Sequence, residues 1–203
     1  MANAHSFFAT STPQWAQAGD PVQRLQAALG VSATLVSPVL QAAARKVEET
    51  TAATEVRAAV YLPTERNTLL IAYQYGMDRD PDVDLELGRN AGCSGAAWQE
   101  RSPMIADLEA ARTDLAEWNM TQGQQNKVRE DRKAMCSFPM FDPSVPIATS
   151  TDSRDLMGIL SIDTSTQLAD TGWIVQEGDE QEPHPALLRL GTLWADVMSR
   201  LLA

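Results

Sequence analysis

The sequence predicts one α+β domain, with strands through its middle and helices gathered from both termini. Three observations carry that expectation. Apolar residues recur at helical spacing near both ends of the chain. Between residues 54 and 163, apolar runs instead alternate every second position or are continuous, as strands do. No repeat and no long linker divides the 203 residues, which suffice to fill one core.

The elements follow in order. Residues 1–19 are rich in Ala, Ser, Thr and Gln without a period and read as a tail. Asp20-Pro21 places a capping side chain before a proline at the first helical position, and Gly30 supplies a stop, so a short helix is expected over 21–29. Residues 1–32 are thus set apart as a tail and short helix, and 33–203 as the domain proper. A second helix starts at Ser32 or Ser37 and runs to about Thr51, with Val36, Val39, Leu40, Ala43 and Val47 on one face and Pro38 leaving its start open.

Val56, Ala58 and Val60, then Leu69, Ile71 and Tyr73, alternate on either side of Pro63 and Glu65-Arg66-Asn67, predicting a hairpin. Val83 to Leu87 alternates again and ends in Gly88. The small-residue run Ala91 to Trp98 reads as a short helix with Ser94 as a candidate cap. Pro103 to Asp107 is a brief strand, and 108–133 is a polar insert with helical stretches around Leu115–Met120 and Gln124–Lys133. Two clear strands follow, Ala134–Phe141 and Leu156–Asp163, joined by a flexible-looking loop. After the acidic stretch Gln176–Glu182, a last helix begins near Pro185. There Leu187, Leu190, Trp194, Val197 and Leu201 step by 3, 4, 3 and 4, and Leu188, Leu193, Met198 and Leu202 widen the stripe beyond what one sheet needs.

Composition excludes several classes of function. With 27 acidic and 16 basic side chains the net charge is −11 and the pI about 4.5, which repels phosphate backbones and anionic membranes, so neither direct nucleic-acid binding nor membrane association is expected. The apolar stretch 27–44 is broken by Gly30, Ser32, Thr34, Ser37, Pro38 and Gln41, too polar to cross ~30 Å of hydrocarbon. The opening MANAHSFFATSTPQW has no basic or apolar leader pattern, so a cytoplasmic location is expected. Cys93 and Cys136 make neither a metal quartet nor a disulfide framework and read as reduced, buried residues. His5 and His184, the only histidines, lie outside the predicted core, which argues against imidazole catalysis and haem ligation.

Four segments in this order, Gly92-Cys93-Ser94-Gly95-Ala96-Ala97-Trp98, Pro103-Met104-Ile105-Ala106-Asp107, Met135-Cys136-Ser137-Phe138-Pro139-Met140 and Met157-Gly158-Ile159-Leu160-Ser161-Ile162, resemble the GAF domain family over about residues 33–202. The resemblance implies a central, mostly antiparallel sheet of five or six strands with N- and C-terminal helices packed on one face and a small-molecule pocket on the other, under the variable insert. Members that bind cyclic nucleotides contact them with the residues matching Gly95 and Ala96 and around the strand ending at Asp107.

Other features of those members are missing. Asp163-Thr164 stands where they carry Asn-Lys, and no Phe-x-x-x-Asp-Glu follows. Neither cysteine is followed by histidine, as bilin attachment would ask, and residues 54–163 contain no histidine for haem. No cofactor is expected. The family's free methionine sulfoxide reductases rely on clustered cysteines. Cys93 precedes a predicted helix N-terminus that would lower its pKa, but Cys136, 43 residues on and mid-strand, is the sole candidate resolving thiol.

The candidate ligand-binding residues are Gly95, Ala96, Trp98, Asp107, Trp118, Met135 and Ser137. Glycines at 92 and 95 let backbone approach a ligand at a helix N-terminus, where N–H groups favour an anion or carbonyl. Trp98 and Trp118 bracket the expected pocket and would stack a planar ligand, and Arg129 or Arg132 would reach an anionic one. Each has a plainer reading. The glycines make a tight turn, Asp107 caps a helix, the tryptophans are core and the arginines lie on a solvated face.

Three functions are weighed, in this order: first a sensory or regulatory domain that binds an unknown small molecule as a homodimer through its terminal helices and signals through a separate protein, then a dimerisation or docking module whose pocket is plugged. A thiol-based methionine sulfoxide reductase is the third.

Overall fold

A computed structural model describes residues 26–27, 29–77, 80–113, 118–144, 155–177 and 180–203. Ser32 accepts a hydrogen bond from the Thr34 amide at 3.1 Å and so caps helix α1, Ala33–Thr50, which carries Pro38 within it. Its periodic face, Val36, Leu40, Ala43, Ala44 and Val47, is buried. The predicted 21–29 helix falls mostly outside the described residues; Gln26, Ala27 and Leu29 are helical, and Gly30 turns the chain at a φ of 66°. Gln26 and Tyr73 tie this segment to the sheet, through the Gln26 amide on the Ala72 carbonyl and the Tyr73 hydroxyl on the Val31 carbonyl at 2.8 Å.

Strands β1 (Arg57–Pro63), β2 (Leu69–Tyr75), β3 (Glu86–Leu87), β4 (Met104–Asp107), β5 (Ala134–Phe141) and β6 (Leu156–Thr164) form one antiparallel sheet in the order β3-β2-β1-β6-β5-β4. The period-two pattern divides each central strand between two cores. Ala58, Val60 and Leu62 of β1, Cys136, Phe138 and Met140 of β5, and Leu160 and Ile162 of β6 pack beneath α1 and the C-terminal helix α6, Pro185–Leu202. Burying each large side chain among them contributes about 1.5–3 kcal/mol. On the opposite face Ala59, Tyr61, Leu69, Ile71 and Ile159 meet helix α2, Gly92–Glu100.

Helix α6 crosses β5 closely. A Cβ at Gly191 would fall 2.1 Å from the Phe138 ring. His184 begins this helix by accepting the Ala186 amide on Nδ1 at 3.1 Å, which gives that histidine a capping role.

Three local expectations fail, each for a physical reason. Val83–Leu87 is not a full strand. Pro81 starts a 3-10 turn over Pro81–Asp84 that swings Asp80 and Asp82 inward to Arg57, leaving two residues for β3. The predicted 124–133 helix is replaced by α4, Gln122–Gln125, followed by turns. Thr121 closes a capping box with Gln124 there, and Arg129 and Arg132 then engage aspartates instead of a helical face. Of the predicted 115–120 helix, 115–117 lie outside the described residues, and 118–120 are turn with Asn119 at a φ of 48°. The sequence reading also missed short helix α5, Leu168–Thr171, and the hairpin of β7, Ile174–Glu177, with β8, Glu180–Pro183, which includes much of the acidic stretch. Helix α3, Leu108–Thr113, opens the insert.

Candidate functional site

A cavity of about 420 Å³ lies between the sheet and the insert. Arg57 and Tyr61 of β1, Asp163 of β6 and Met135 of β5 reach it from the sheet because they share the face that meets α2, opposite α1 and α6. Arg57, Asp163 and Met135 stand in one row, since Arg57 is in register with Asp163 and Met135 with Asp163. Cys93 and Ser94 approach from the start of α2. Leu85, Leu87, Trp118, Met120 and Val128 supply apolar wall, and Leu108, Ala111 and Arg112 of α3 close one side.

The polar edge of the cavity is an ion network built from neighbouring elements. Arg57 donates through Nε and Nη2 to the two Asp163 oxygens, both at 2.8 Å, and through Nη1 and Nη2 to Asp80 and Asp82. Asp80 also takes Arg129, Arg129 and Arg132 share Asp131, and Arg132 lies 3.7 Å from Asp163. Three arginines and three aspartates therefore close a neutral ring, from which Asp82 hangs as an added buried carboxylate and Glu55 as an added exposed one.

Burial opposes the Arg57 charge, but Asp163 and Asp82 outweigh it and hold the pKa above the ordinary guanidinium value. For Asp163, burial is the larger influence and raises its pKa against the pull of Arg57 and Arg132. Hydrogen bonds from Arg129 and Arg132 drive Asp131 below the ordinary carboxylate range.

Polar capacity is left over at the cavity. Asp82 Oδ1, Gln125 Oε1 and Arg132 Nε are buried and have no hydrogen-bond partner among the described residues, and all three residues line it. A buried polar atom left unpaired costs about 1–3 kcal/mol, so these atoms favour a bound partner.

The seven predicted residues separate. Trp118 and Met135 line the cavity. Gly95, Ala96, Trp98, Asp107 and Ser137 are not among its lining residues. Gly95 sits where α2 passes the 88–90 turn, so that an added Cβ would lie 2.5 Å from the Gly88 carbonyl oxygen. Half-buried Ala96 is on the same helix. Trp98 belongs to the core beneath α2, its ring covered by Arg89 at 5.1 Å, so the two tryptophans do not bracket one space. Asp107 accepts the Glu109 and Ala110 amides at 2.9 and 3.0 Å and caps α3. Ser137 joins Ser94 and Ser161 in a buried hydroxyl cluster, Ser161 lying 2.9 Å from each of the others.

The start of α2 also differs from the sequence reading. Ala91 is the N-cap, Ser94 lies inside the helix, and the Gly92 amide donates to the Trp118 carbonyl at 2.8 Å, binding helix to insert. Cys93 is 3 % exposed, and burial pushes its thiol up to about 12 instead of the lowering expected from the helix N-terminus. Its Sγ faces the Met104 and Met135 carbonyls at 3.6 and 3.9 Å, whereas Cys136 packs in the core under α1 and α6. The sheet therefore stands between the two sulfurs.

Sequence reading missed Arg57, Asp82, Asp163, Gln125 and Arg112 as site residues. Arg57 and Asp163 carried a usable signal, being charges at the ends of otherwise apolar strands.

No helix among the described residues is long and apolar enough to cross a membrane. No family model matches the sequence, and no curated protein matches it. Solved structures do. The GAF domain from Acinetobacter phosphoenolpyruvate-protein phosphotransferase aligns over 90% of this chain and 90% of that one, at 15% identity and a TM-score of 0.52. A GAF domain region from Geobacter sulfurreducens aligns over 90% and 98%, at 13% identity and a TM-score of 0.51. A type II free methionine-R-sulfoxide reductase from Thermoplasma acidophilum aligns over 84% and 94%, at 15% identity and a TM-score of 0.50. At such identities the likeness establishes the fold, which is GAF-like, and fold alone does not assign a chemistry.

Proposed function

We propose that this GAF-like domain is a sensory or regulatory module that binds a small molecule in the cavity beneath its insert and passes the signal to a separate protein. The observation that carries the reading is the cavity with unpaired, buried polar atoms on its wall. Its volume of about 420 Å³ exceeds that of a plugged pocket, since ligand sites begin near ~300 Å³. Trp118 is a wall and Trp98 lies elsewhere, which weighs against the plugged docking module.

The placement of the cysteines supports a module without thiol catalysis, because Cys93 has a raised pKa and Cys136 opens onto the other face of the sheet. Of the predicted site residues, Trp118 and Met135 remain in the proposed ligand site. Gly95, Asp107 and Ser137 act through it by placing α2, α3 and β5, and Ala96 and Trp98 by packing α2.

Homodimerisation is proposed through α1 and α6. Leu35 and Leu193 expose 61 % and 58 % of their surface on these helices, large apolar side chains that a second copy would cover. A ligand alters output only if it binds one arrangement of that pair better than another. The experiment is a thermal-shift screen of a metabolite library on the wild type and on Ala111→Trp, which puts an indole into the cavity. Hits that stabilise the wild type and fail on Ala111→Trp are expected; a library that moves neither protein would overturn the reading.

A further inference from the structure

We infer that the cavity selects a small molecule carrying a protonated amine and, a few atoms away, an oxygen acceptor, on an apolar body. This inference rests on the cavity being a ligand site and deepens that reading.

Charge accounting selects the amine. Arg57, Asp80, Arg129, Asp131, Arg132 and Asp163 balance one another within the ring. Of the two carboxylates added to it, Glu55 is exposed and Asp82 is the buried one that lines the cavity. Its side chain is 8 % exposed, its Oδ2 takes Arg57 Nη2 at 2.9 Å, and its Oδ1 has no partner among the described residues. A buried carboxylate oxygen with spare lone pairs is best met by a charged N–H donor. Gln125 Oε1 is a second acceptor without a partner among the described residues, held on the insert side by one N–H of the Gln125 amide donating to the Met120 carbonyl at 2.8 Å. An ammonium has three N–H bonds to offer, enough for both.

The oxygen acceptor follows from Arg132. Its Nη1 donates to the Glu55 carbonyl at 2.8 Å and its Nη2 to Asp131 at 2.9 Å, which leaves Nε buried without an acceptor among the described residues. Arg132 and Asp82 flank the same Arg57–Asp163 pair, so donor-seeking and acceptor-seeking atoms lie on either side of it. A phosphate dianion would satisfy Arg132 and be repelled by Asp82. The apolar body would rest on Leu87, Trp118 and Val128.

Amino acids and amino alcohols share this chemistry, and calorimetry separates them. The titrants are the proteinogenic L-amino acids, their amino alcohols and the matching acids without the amino group, with the library hits as comparison. Hits among the amine-bearing probes, at least tenfold weaker or absent binding of their des-amino counterparts, and a tenfold or greater loss in Asp82→Asn are expected. Gln125→Met, which takes no part in the ion ring, should weaken the same probes severalfold with the fold unchanged, which keeps the test informative if Asp82→Asn fails to fold.

Equal binding of des-amino acids, or library hits without an amine, would overturn the amine assignment while Ala111→Trp sensitivity kept the pocket. No binding by any class would remove both.

Discussion

Arg57 grips both carboxylate oxygens of Asp163 at 2.8 Å across the β1–β6 register, with the Arg57 side chain 6 % exposed. The pair joins the middle of the sheet to the 3-10 turn through Asp80 and Asp82, and so fixes one wall of the cavity. Breaking it by Arg57→Met takes from Asp82 its cation among the described residues and leaves Asp80 and Asp163 to Arg129 and Arg132 alone, and the expected loss is about 3–5 kcal/mol. Urea unfolding followed by circular dichroism measures it. A loss below about 1 kcal/mol would show that the network contributes little.

Gly95→Ala places a Cβ 2.5 Å from the Gly88 carbonyl oxygen and 3.2 Å from the Asn90 amide, neither of which is the end of a flexible side chain. Overpacking of this kind costs about 1–3 kcal/mol, or several degrees in Tm. Gly123→Ala is the control, since its Cβ would meet only Thr121 Oγ1 at 4.0 Å, and its Tm is expected to hold or rise.

Burial pushes the Cys93 thiol to about 12 from an ordinary 9.0, so its thiolate is scarce at pH 8. Iodoacetamide at that pH is expected to modify neither Cys93 nor Cys136 in the native protein and both in denaturant, read by intact mass. Because the folded pKa is the higher, the stability gained from the neutral thiol is complete below pH 9.0 and declines as pH rises toward about 12. Rapid native labelling of Cys93 would reopen thiol chemistry.

Asp131 shifts the other way. Arg129 and Arg132 lower its pKa, so the stability it confers is present above the ordinary carboxylate value and is lost as pH falls below it. Asp131→Asn should lower Tm by a near-constant amount from neutral pH upward and converge on the wild type at acid pH, which flattens the acid limb of the Tm–pH profile. An unaltered acid limb would place the effect elsewhere.

Leu193→Glu, alone or with Leu35→Glu, is expected to halve the sedimenting mass without lowering Tm by more than a few degrees. Leu190 and Val197, on the stripe read from the sequence, are partly buried, which makes them poorer sites for this test. A mass unchanged by the double variant would remove α1 and α6 as the dimer surface.

The sheet and its covering helices were legible because their signal is periodic: Val36, Leu40 and Val47 mark a helix face, and Cys136, Phe138 and Met140 mark one face of a strand. The site was less legible. Trp118 and Met135 sit in motifs that local reading can find, whereas the Arg57–Asp163 pair spans 106 residues and owes its meaning to strand pairing. Asp82 was hidden differently. The Asp-Leu-Glu-Leu alternation beside it imitates a strand, whereas Pro81 starts a turn there and Arg57 draws one of its carboxylates to the cavity.

The central claim is that the cavity holds a small molecule, and native mass spectrometry after incubation with a desalted metabolite extract tests it most directly. The account predicts one adduct per chain on the wild type, released on gentle activation and absent from Ala111→Trp. A wild type that takes up nothing, or an adduct equally present on Ala111→Trp, would contradict it.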